Sequence, residues 1–163
     1  MKKLSLVLVC TLLLALFAGC GASSSSSSAA AGGNIPGTLE EIMEKLYEGI
    51  DENNMPMVAN TELTADNAES FVGVPASDFK EGLSSDAMIN AVAHSVCLLR
   101  AEDAAAAEEL AKAVEENADP RKWICVEAEK KVVEQRGDLV LLVMSGTDLA
   151  DQIVANFQAL ETE

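Results

Sequence analysis

Apolar residues recur with helical spacing in three stretches of the chain. After Thr38 they fall at i, i+3, i+4, i+7, i+8 and i+11, which predicts a helix with one buried face. Thr38 and Glu41 have the spacing of a capping box at the start of that helix. The stretches at 102–120, which Pro120 closes, and at 147–160 carry similar apolar stripes and predict two further helices.

Other stretches have the pattern of β-strands. Residues 90–100 and Leu139–Met144 are apolar on both faces, which is typical of strands in the middle of a covered sheet. Val126–Gln135 alternates imperfectly and predicts a hairpin partner for 139–144, because Gly137 can adopt the positive φ of a tight turn. Residues 57–87 are ambiguous: their start could hold a short strand, and "SDFKEGL" is interpreted as one helical turn.

The order of these elements predicts an α+β fold. We expect a mainly antiparallel sheet of three to four strands, with the helices packed on one face. This domain would occupy residues 37–163 and follow a disordered N-terminal signal and linker.

The first residues have the pattern of a secretory signal. Met1-Lys2-Lys3 is basic, and Leu4–Ala18 is apolar except for two residues. The apolar run is about 15 residues long, short of the roughly 20 that cross a bilayer as a helix. An ordinary cleaved signal or an uncleaved anchor helix remains an alternative to the interpretation that follows.

Phe17-Ala18-Gly19-Cys20 resembles the lipobox of bacterial lipoproteins, in which the cysteine becomes the new N-terminus and carries lipid. The family pattern usually has Leu where Phe17 stands. The resemblance implies a signal peptide at 1–19 and lipid on Cys20. It also implies attachment to the lipid bilayer at the outer face of the cell membrane, because buried acyl chains hold a protein there.

Residues 21–36 are almost entirely Ser, Ala and Gly, including six consecutive serines. Such a segment cannot bury enough apolar surface to fold, so 20–36 is interpreted as the lipidated Cys20 and a flexible linker. A linker of about 16 residues spans roughly 20–24 Å.

The chain after the signal is strongly acidic, with 27 Asp and Glu against 9 Lys and Arg, a formal charge of −18. This charge argues against nucleic acid as a partner, because binding depends on neutralising phosphates. It also disfavours lying on an anionic lipid surface. A well-solvated surface is the simpler explanation of the charge, and a cationic partner or calcium is the alternative.

The candidate catalytic and metal-binding residues are few. His94 is the only histidine, and Cys97 lies an odd number of residues away, on the opposite face of a strand. We therefore expect no catalytic dyad and a partly exposed His94. Too few nitrogen and sulfur ligands are present for a transition metal, and "DENNMP" departs from a calcium loop at Met55 and Pro56. No catalytic residue, metal or cofactor is predicted.

Three further features have more than one explanation. Cys97 and Cys125 could form a disulfide or be two small buried residues. Arg136-Gly137-Asp138 spells an integrin tripeptide, but the turn already explains its glycine. The run Arg121-Lys122-Trp123 is a candidate interaction patch; alternatively, Trp123 seals a helix–strand junction while both bases lie in water.

The stretches at 55–58, 93–100, 119–129 and 137–144 carry a further resemblance. With them, the chain resembles an uncharacterised family of small lipoproteins from Gram-positive bacteria, which have a lipobox, a Ser/Gly tether and one α+β domain. This implies a fold and a location but no functional residue.

The function expected is that of a non-enzymatic binding domain for an envelope protein, cell-wall component or small ligand. The alternatives are an extracytoplasmic enzyme using His94 or carboxylates, and a structural envelope protein without a ligand.

Overall fold

The computed structural model describes residues 33–163. The predicted signal, the lipidated Cys20 and most of the predicted linker lie outside the described residues. The helices and strands follow one another along the chain as α1 Leu39–Leu46, β1 Val58–Glu62, α2 Ala68–Val72, β2 Glu81–Ala87, β3 Ser95–Arg100, α3 Ala104–Asn117, β4 Lys130–Arg136, β5 Leu139–Ser145 and α4 Thr147–Gln158. Two short 3₁₀ turns, Glu52–Asn54 and Ala76–Asp78, precede β1 and β2.

The five strands form one antiparallel sheet in the order β1-β2-β3-β5-β4. The α+β class, the antiparallel pairing and the central position of β3 confirm the expectation from sequence. The strand count of three to four was wrong, because β2 was interpreted as part of a helical turn. The sequence of β2 does not predict a strand, because Gly82, Ser84 and Ser85 interrupt the alternation of apolar and polar residues that is typical of one.

Helices cover both faces of the sheet, so the expectation of helices on one face was also wrong. The helices α1 and α4 pack on the face that carries Val96 and Leu98. The helices α2 and α3 pack on the opposite face, against Cys97 and Leu99. The physical reason lies in β3 and β5: strands that are apolar on both faces expose a core-sized surface unless both faces are covered.

Three other helix and turn signals in the sequence agree with the structure. Thr38 and Glu41 make both hydrogen bonds of the capping box on α1. Asp103 caps α3 by accepting a hydrogen bond from the backbone N–H of Ala106. Gly137 has a φ of +57° in the two-residue turn between β4 and β5, as the hairpin prediction requires.

The sheet has two unlike ends, which we name the entry end and the distal end. At the entry end lie the β4–β5 turn and the first described residues, since the carbonyl oxygen of Gly33 lies against Gly137. The distal end is formed by the segments that meet where β3 begins and β5 ends: 51–57, 88–94, 118–129 and 146–149.

At the entry end, Arg100 and Asp138 hold the incoming chain. Asp138 accepts a hydrogen bond from the backbone N–H of Ile35 at 3.1 Å and from the Arg100 guanidinium at 2.8 Å. The guanidinium also donates to the carbonyl oxygens of Ile35 and Gly37, each at 2.9 Å. Ile35 itself is buried in the core, so the packed chain begins before the boundary at 37 that composition indicates.

Candidate functional site

The exposed large apolar side chains of residues 33–163 all lie at the distal end. They are Met57, Met88, Ile89, Val92 and Ile124. Backbone hydrogen bonds bring the first four together: the N–H of Met88 donates to the carbonyl oxygen of Met57 at 2.9 Å, and that of Val92 donates to the carbonyl oxygen of Ile89 at 3.3 Å. Met88 and Ile89 are neighbours in the chain. We call these four residues the apolar tip. Exposed apolar groups gathered at one place mark interaction surfaces more often than single exposed residues do.

Ile124 is the most exposed large apolar residue at this end. Its side chain is 94% exposed, and its φ is +68°, a positive value shared by no other non-glycine residue in the described part of the chain. A β-branched residue in this conformation is strained by roughly 1–2 kcal/mol. Strained backbone persists where the surrounding structure imposes it, and it is concentrated at functional sites.

Lys122 fastens the loop that carries Ile124 to the sheet. Its ammonium group donates hydrogen bonds to Asp86 at 2.9 Å and to Ser95 at 2.8 Å. It also lies 4.5 Å from the centre of the Phe71 ring and 5.2 Å from that of Trp123, distances at which cation–π attraction contributes. The Lys122 side chain is therefore a structural anchor of the loop rather than a free surface charge.

The polar groups around Lys122 do not form a usable nucleophile. Ser95 beside a lysine has the composition of a serine–lysine dyad, but Ser95 is fully buried and Lys122 also donates to Asp86. Cys97 lies within 3.5 Å of the Ser95 hydroxyl, and burial raises the pKa of its thiol. A buried, protonated thiol is inert.

His94 lies on the opposite face of the sheet and bridges two elements. Its Nε2 atom is 2.9 Å from the Tyr47 hydroxyl at the end of α1, and its Nδ1 atom is 2.8 Å from the Ser145 hydroxyl at the end of β5. Burial lowers the pKa of His94 to about 4 and raises that of Tyr47, so both are neutral at pH 7. The partly exposed histidine expected from the sequence is in fact fully buried. Its separation from Cys97 by the sheet is as predicted.

A cavity of about 480 Å³ opens beside the apolar tip. Its wall is formed by residues from four segments: Asn54, Pro56, Val92–His94, Glu129, Ser145–Leu149 and Gln152. Glu129 and Asp148 are the charged groups in this wall. The Glu129 carboxylate caps α4 by accepting a hydrogen bond from the Thr147 N–H at 3.1 Å. Val92 belongs to both the cavity and the tip, so the two form a continuous surface.

The cavity does not make His94 available for catalysis. The imidazole has no exposed surface, and each of its nitrogens already lies within hydrogen-bond distance of a hydroxyl group. A ligand in the cavity therefore meets carboxylates, small apolar side chains and backbone rather than a free general base.

The structure separates the members of the candidate patch. The Arg121 side chain is 73% exposed and lies 3.7 Å from Glu127. Lys122 is turned inward, and Trp123 packs in the core under the loop. Of the three residues, only Arg121 offers most of its surface to a partner, and it does so at the distal end.

The two cysteines and the integrin-like tripeptide lie in different environments. Cys97 is buried as expected, but Cys125 is exposed, and both are free. Asp138 of the tripeptide is buried in the ion pair with Arg100, so its carboxylate is occupied within the fold.

The apolar tip is the part of the site that sequence reasoning missed. Its residues were assigned to an ambiguous segment and to the start of a strand at 90–100. The signal that could have located it is the short run "AMINAV", where apolar residues sit in a polar, loop-like context with an asparagine.

Within residues 33–163, no three His, Cys, Asp or Glu side chains come together as a metal site. No helix in this part of the chain is both long and apolar enough to span a bilayer. Protein-family models, curated proteins and solved structures yield no match to the chain.

Proposed function

We propose that this protein is a lipoprotein, held at the outer face of the cell membrane through lipid on Cys20, whose domain binds a partner without catalysing a reaction. The observation that carries the proposal is the location of the exposed apolar side chains at the end of the domain opposite the entering chain. The proposed partner is an envelope protein or a cell-wall component. We further propose that the protein belongs to the Gram-positive lipoproteins that its sequence resembles.

The two ends suit such an arrangement. A tether that joins the domain at Ile35 is attached to the entry end, where Arg100 and Asp138 hold the chain. The distal end then faces away from the lipid anchor, and a linker of about 16 residues leaves it roughly 20–24 Å of reach. A binding surface at the distal end would thus be available to molecules outside the membrane.

The side chains with catalytic potential support binding rather than catalysis. His94, Cys97 and Ser95 are fully buried, and Lys122 is held by Asp86. Lys122 and His94 connect loops to the sheet through hydrogen bonds and so preorganise the distal end. Preorganised loops lower the entropic cost of binding a partner.

The exposed apolar tip also favours a binding protein over a structural envelope protein without a ligand. Exposing apolar side chains to water is unfavourable, and the strain at Ile124 adds to that cost. A partner that covers these residues would recover the part of this free energy that comes from exposed apolar surface.

Two experiments on intact cells test the proposal. Cys20→Ala should release the protein from the membrane fraction or block its processing, whereas unchanged membrane attachment would refute the lipid anchor. A photo-crosslinking residue in place of Met88 should capture a reproducible partner, which the same residue in place of Glu108 on α3 should not. Equal capture from both positions, or none from either, would refute binding at the distal end.

A further inference from the structure

We propose that the partner bound at the distal end is a cationic amphipathic peptide segment, with apolar residues on the tip and basic groups at the rim of the neighbouring cavity. This inference rests on the proposed function and adds the chemistry of the partner. The observation that carries it is the combination of exposed methionines with unpaired carboxylates on one surface.

The charge of the distal end is one-sided. Six carboxylates and two basic groups lie in its segments, 51–57, 88–94, 118–129 and 146–149. Both basic groups already lie beside a carboxylate: Arg121 beside Glu127, and Lys122 beside Asp86 in β2. By contrast, Glu52 and Asp148 are exposed and have no basic side chain within 4 Å among the described residues.

The apolar tip adjoins the segments that carry these unpaired carboxylates. Glu52 precedes Met57 on the same segment, and Asp148 lies in the wall of the cavity that Val92 shares with the tip. A ligand that covers the tip therefore brings its flanks close to negative charge. Opposite charge at the rim of an apolar contact adds specificity and speeds association.

Methionine suits this kind of contact. Met57 is 76% exposed and Met88 is 62% exposed. Unbranched, polarizable thioether side chains adapt to different apolar partners, and Met-rich surfaces accept the apolar face of amphipathic helices. Acidic charge around such a surface selects partners whose other face is basic.

A lipid bilayer fits the same surface less well. The formal charge of the chain after the signal is −18, and anionic headgroups repel carboxylates. The tether also joins the domain at the opposite end, so the lipid anchor does not by itself bring the tip to the membrane. Docking of the tip on lipid is therefore an outcome that the test has to separate from peptide binding.

The test uses the full lipoprotein in nanodiscs of phosphatidylcholine. The probe is the peptide LKKLLKLLKKLLKL with a benzophenone group, and mass spectrometry maps where it attaches to the protein. We expect attachment at 51–57, 88–94 and 146–152, with at least five times less from the acidic counterpart LEELLELLEELLEL.

Paired variants separate local contact from general attraction between opposite charges. Met88→Ser with Ile89→Ser, and separately Glu52→Gln with Asp148→Asn, should each lower attachment at the distal end at least fivefold. The control Glu40→Gln with Glu161→Gln makes the same change of charge with one residue in the first turn of α1 and one after α4, and it should stay within twofold. Urea unfolding of each variant establishes that the fold is retained.

Three results would overturn the inference. They are equal attachment of both peptides, equal loss in the control variant, and attachment of the Met88 photo-crosslinker to lipid instead of peptide. The proposed function would survive if Met88 captures a partner on cells that lacks a basic amphipathic segment. In that case binding at the distal end stands and only the chemistry assigned to the partner fails.

Discussion

The two ends of the sheet differ in which side chains they bury and which they expose. At the entry end, the charged pair of Arg100 and Asp138 is mostly buried and satisfied by hydrogen bonds to the incoming backbone. At the distal end, apolar side chains project into water and one residue has a strained backbone. The first arrangement serves the fold alone. The second raises the free energy of the isolated domain, and we propose that contact with another molecule offsets this cost.

Beneath the loops, buried hydrogen bonds hold the distal end together, as they do at the entry end. Lys122 links the 118–129 loop to β2 and β3, and His94 links α1 to β5. The contrast is therefore between two parts of the same end. One is a set of largely buried residues, His94, Lys122 and Trp123, which we call the frame, and the other is the exposed apolar tip. Substitutions in the frame should cost folding free energy, whereas substitutions in the tip should leave folding intact or improve it.

The largest expected effect comes from the frame under the distal loop. Trp123→Ala removes a side chain that is 9% exposed and packed in the core, so it should lower the free energy of unfolding by about 3–4 kcal/mol. Urea denaturation measures the change. Its exposed neighbour provides the control, because Arg121→Ala should cost less than about 0.5 kcal/mol. A Trp123 variant as stable as the parent would show that Trp123 does not seal this junction.

The entry end should be the next most sensitive. Asp138→Ala leaves the mostly buried Arg100 without its main partner and frees the N–H of Ile35. Because Glu81 still pairs with Arg100, we expect a loss of about 2–3 kcal/mol rather than the full cost of a broken buried pair. Urea denaturation checks the value.

The matched control for Asp138 is an exposed ion pair at the same end. Lys80→Ala removes the surface contact with Glu102 and should cost less than about 0.5 kcal/mol. Similar losses of unfolding free energy in the two variants would mean that the Arg100–Asp138 pair, which holds the entering chain, contributes no more than a surface ion pair.

His94 makes the distal frame sensitive to pH. Its pKa is about 4 in the folded chain against 6.5 ordinarily, so below pH 6.5 the unfolded chain binds the proton more readily. The stability that depends on neutral His94 is complete above pH 6.5 and is lost as the pH falls toward 4. Between pH 7 and pH 5 the loss should be about 2 kcal/mol.

Comparing the parent with His94→Gln isolates this effect, because the carboxylates titrate in both proteins. Urea denaturation at pH 7, 6 and 5 should show the steeper decline only in the parent. Parallel declines would mean that His94 is protonated as readily in the folded chain as in the unfolded one.

The smallest effect should have the opposite sign. Ile124→Asn places a residue that tolerates positive φ at a position where no core packing is lost, so it should raise stability by about 0.5–1 kcal/mol. The same variant should weaken partner capture if Ile124 contacts the partner. Differences in urea midpoint measure the first effect, and crosslinking yield on cells measures the second. A destabilised variant would show that the strain at Ile124 is absent.

Some of the fold was predictable because it depends on the spacing of residues within short stretches of the sequence. The apolar stripe and the cap of α1, the two-sided apolar runs of β3 and β5, and the glycine turn at Gly137 each lie within a short window. The class of fold and the central position of β3 follow from those windows. The strand β2 did not follow, because Ser84 and Ser85 are buried polar residues whose surroundings come from distant segments.

The candidate site was only partly predictable. Arg121, Lys122 and Trp123 were singled out by composition and do lie at the distal end, but only packing shows that Lys122 turns inward to Asp86. The opposite faces of His94 and Cys97 followed from strand parity. The burial of His94 did not, since it depends on α1 and β5 closing over it from positions about 50 residues away on either side.

By itself, the sequence determined the helices α1, α3 and α4, the central strands, the acidic charge and the expectation of a lipid anchor at Cys20. Each of these depends on residue types and on spacings within one segment. Only the tertiary structure decided that the apolar tip and the entering chain lie at opposite ends, and that Arg100, Asp138 and Ile35 meet. Such contacts depend on strand order and register, which are set by the free energy of burying both faces of the sheet together rather than by any local pattern.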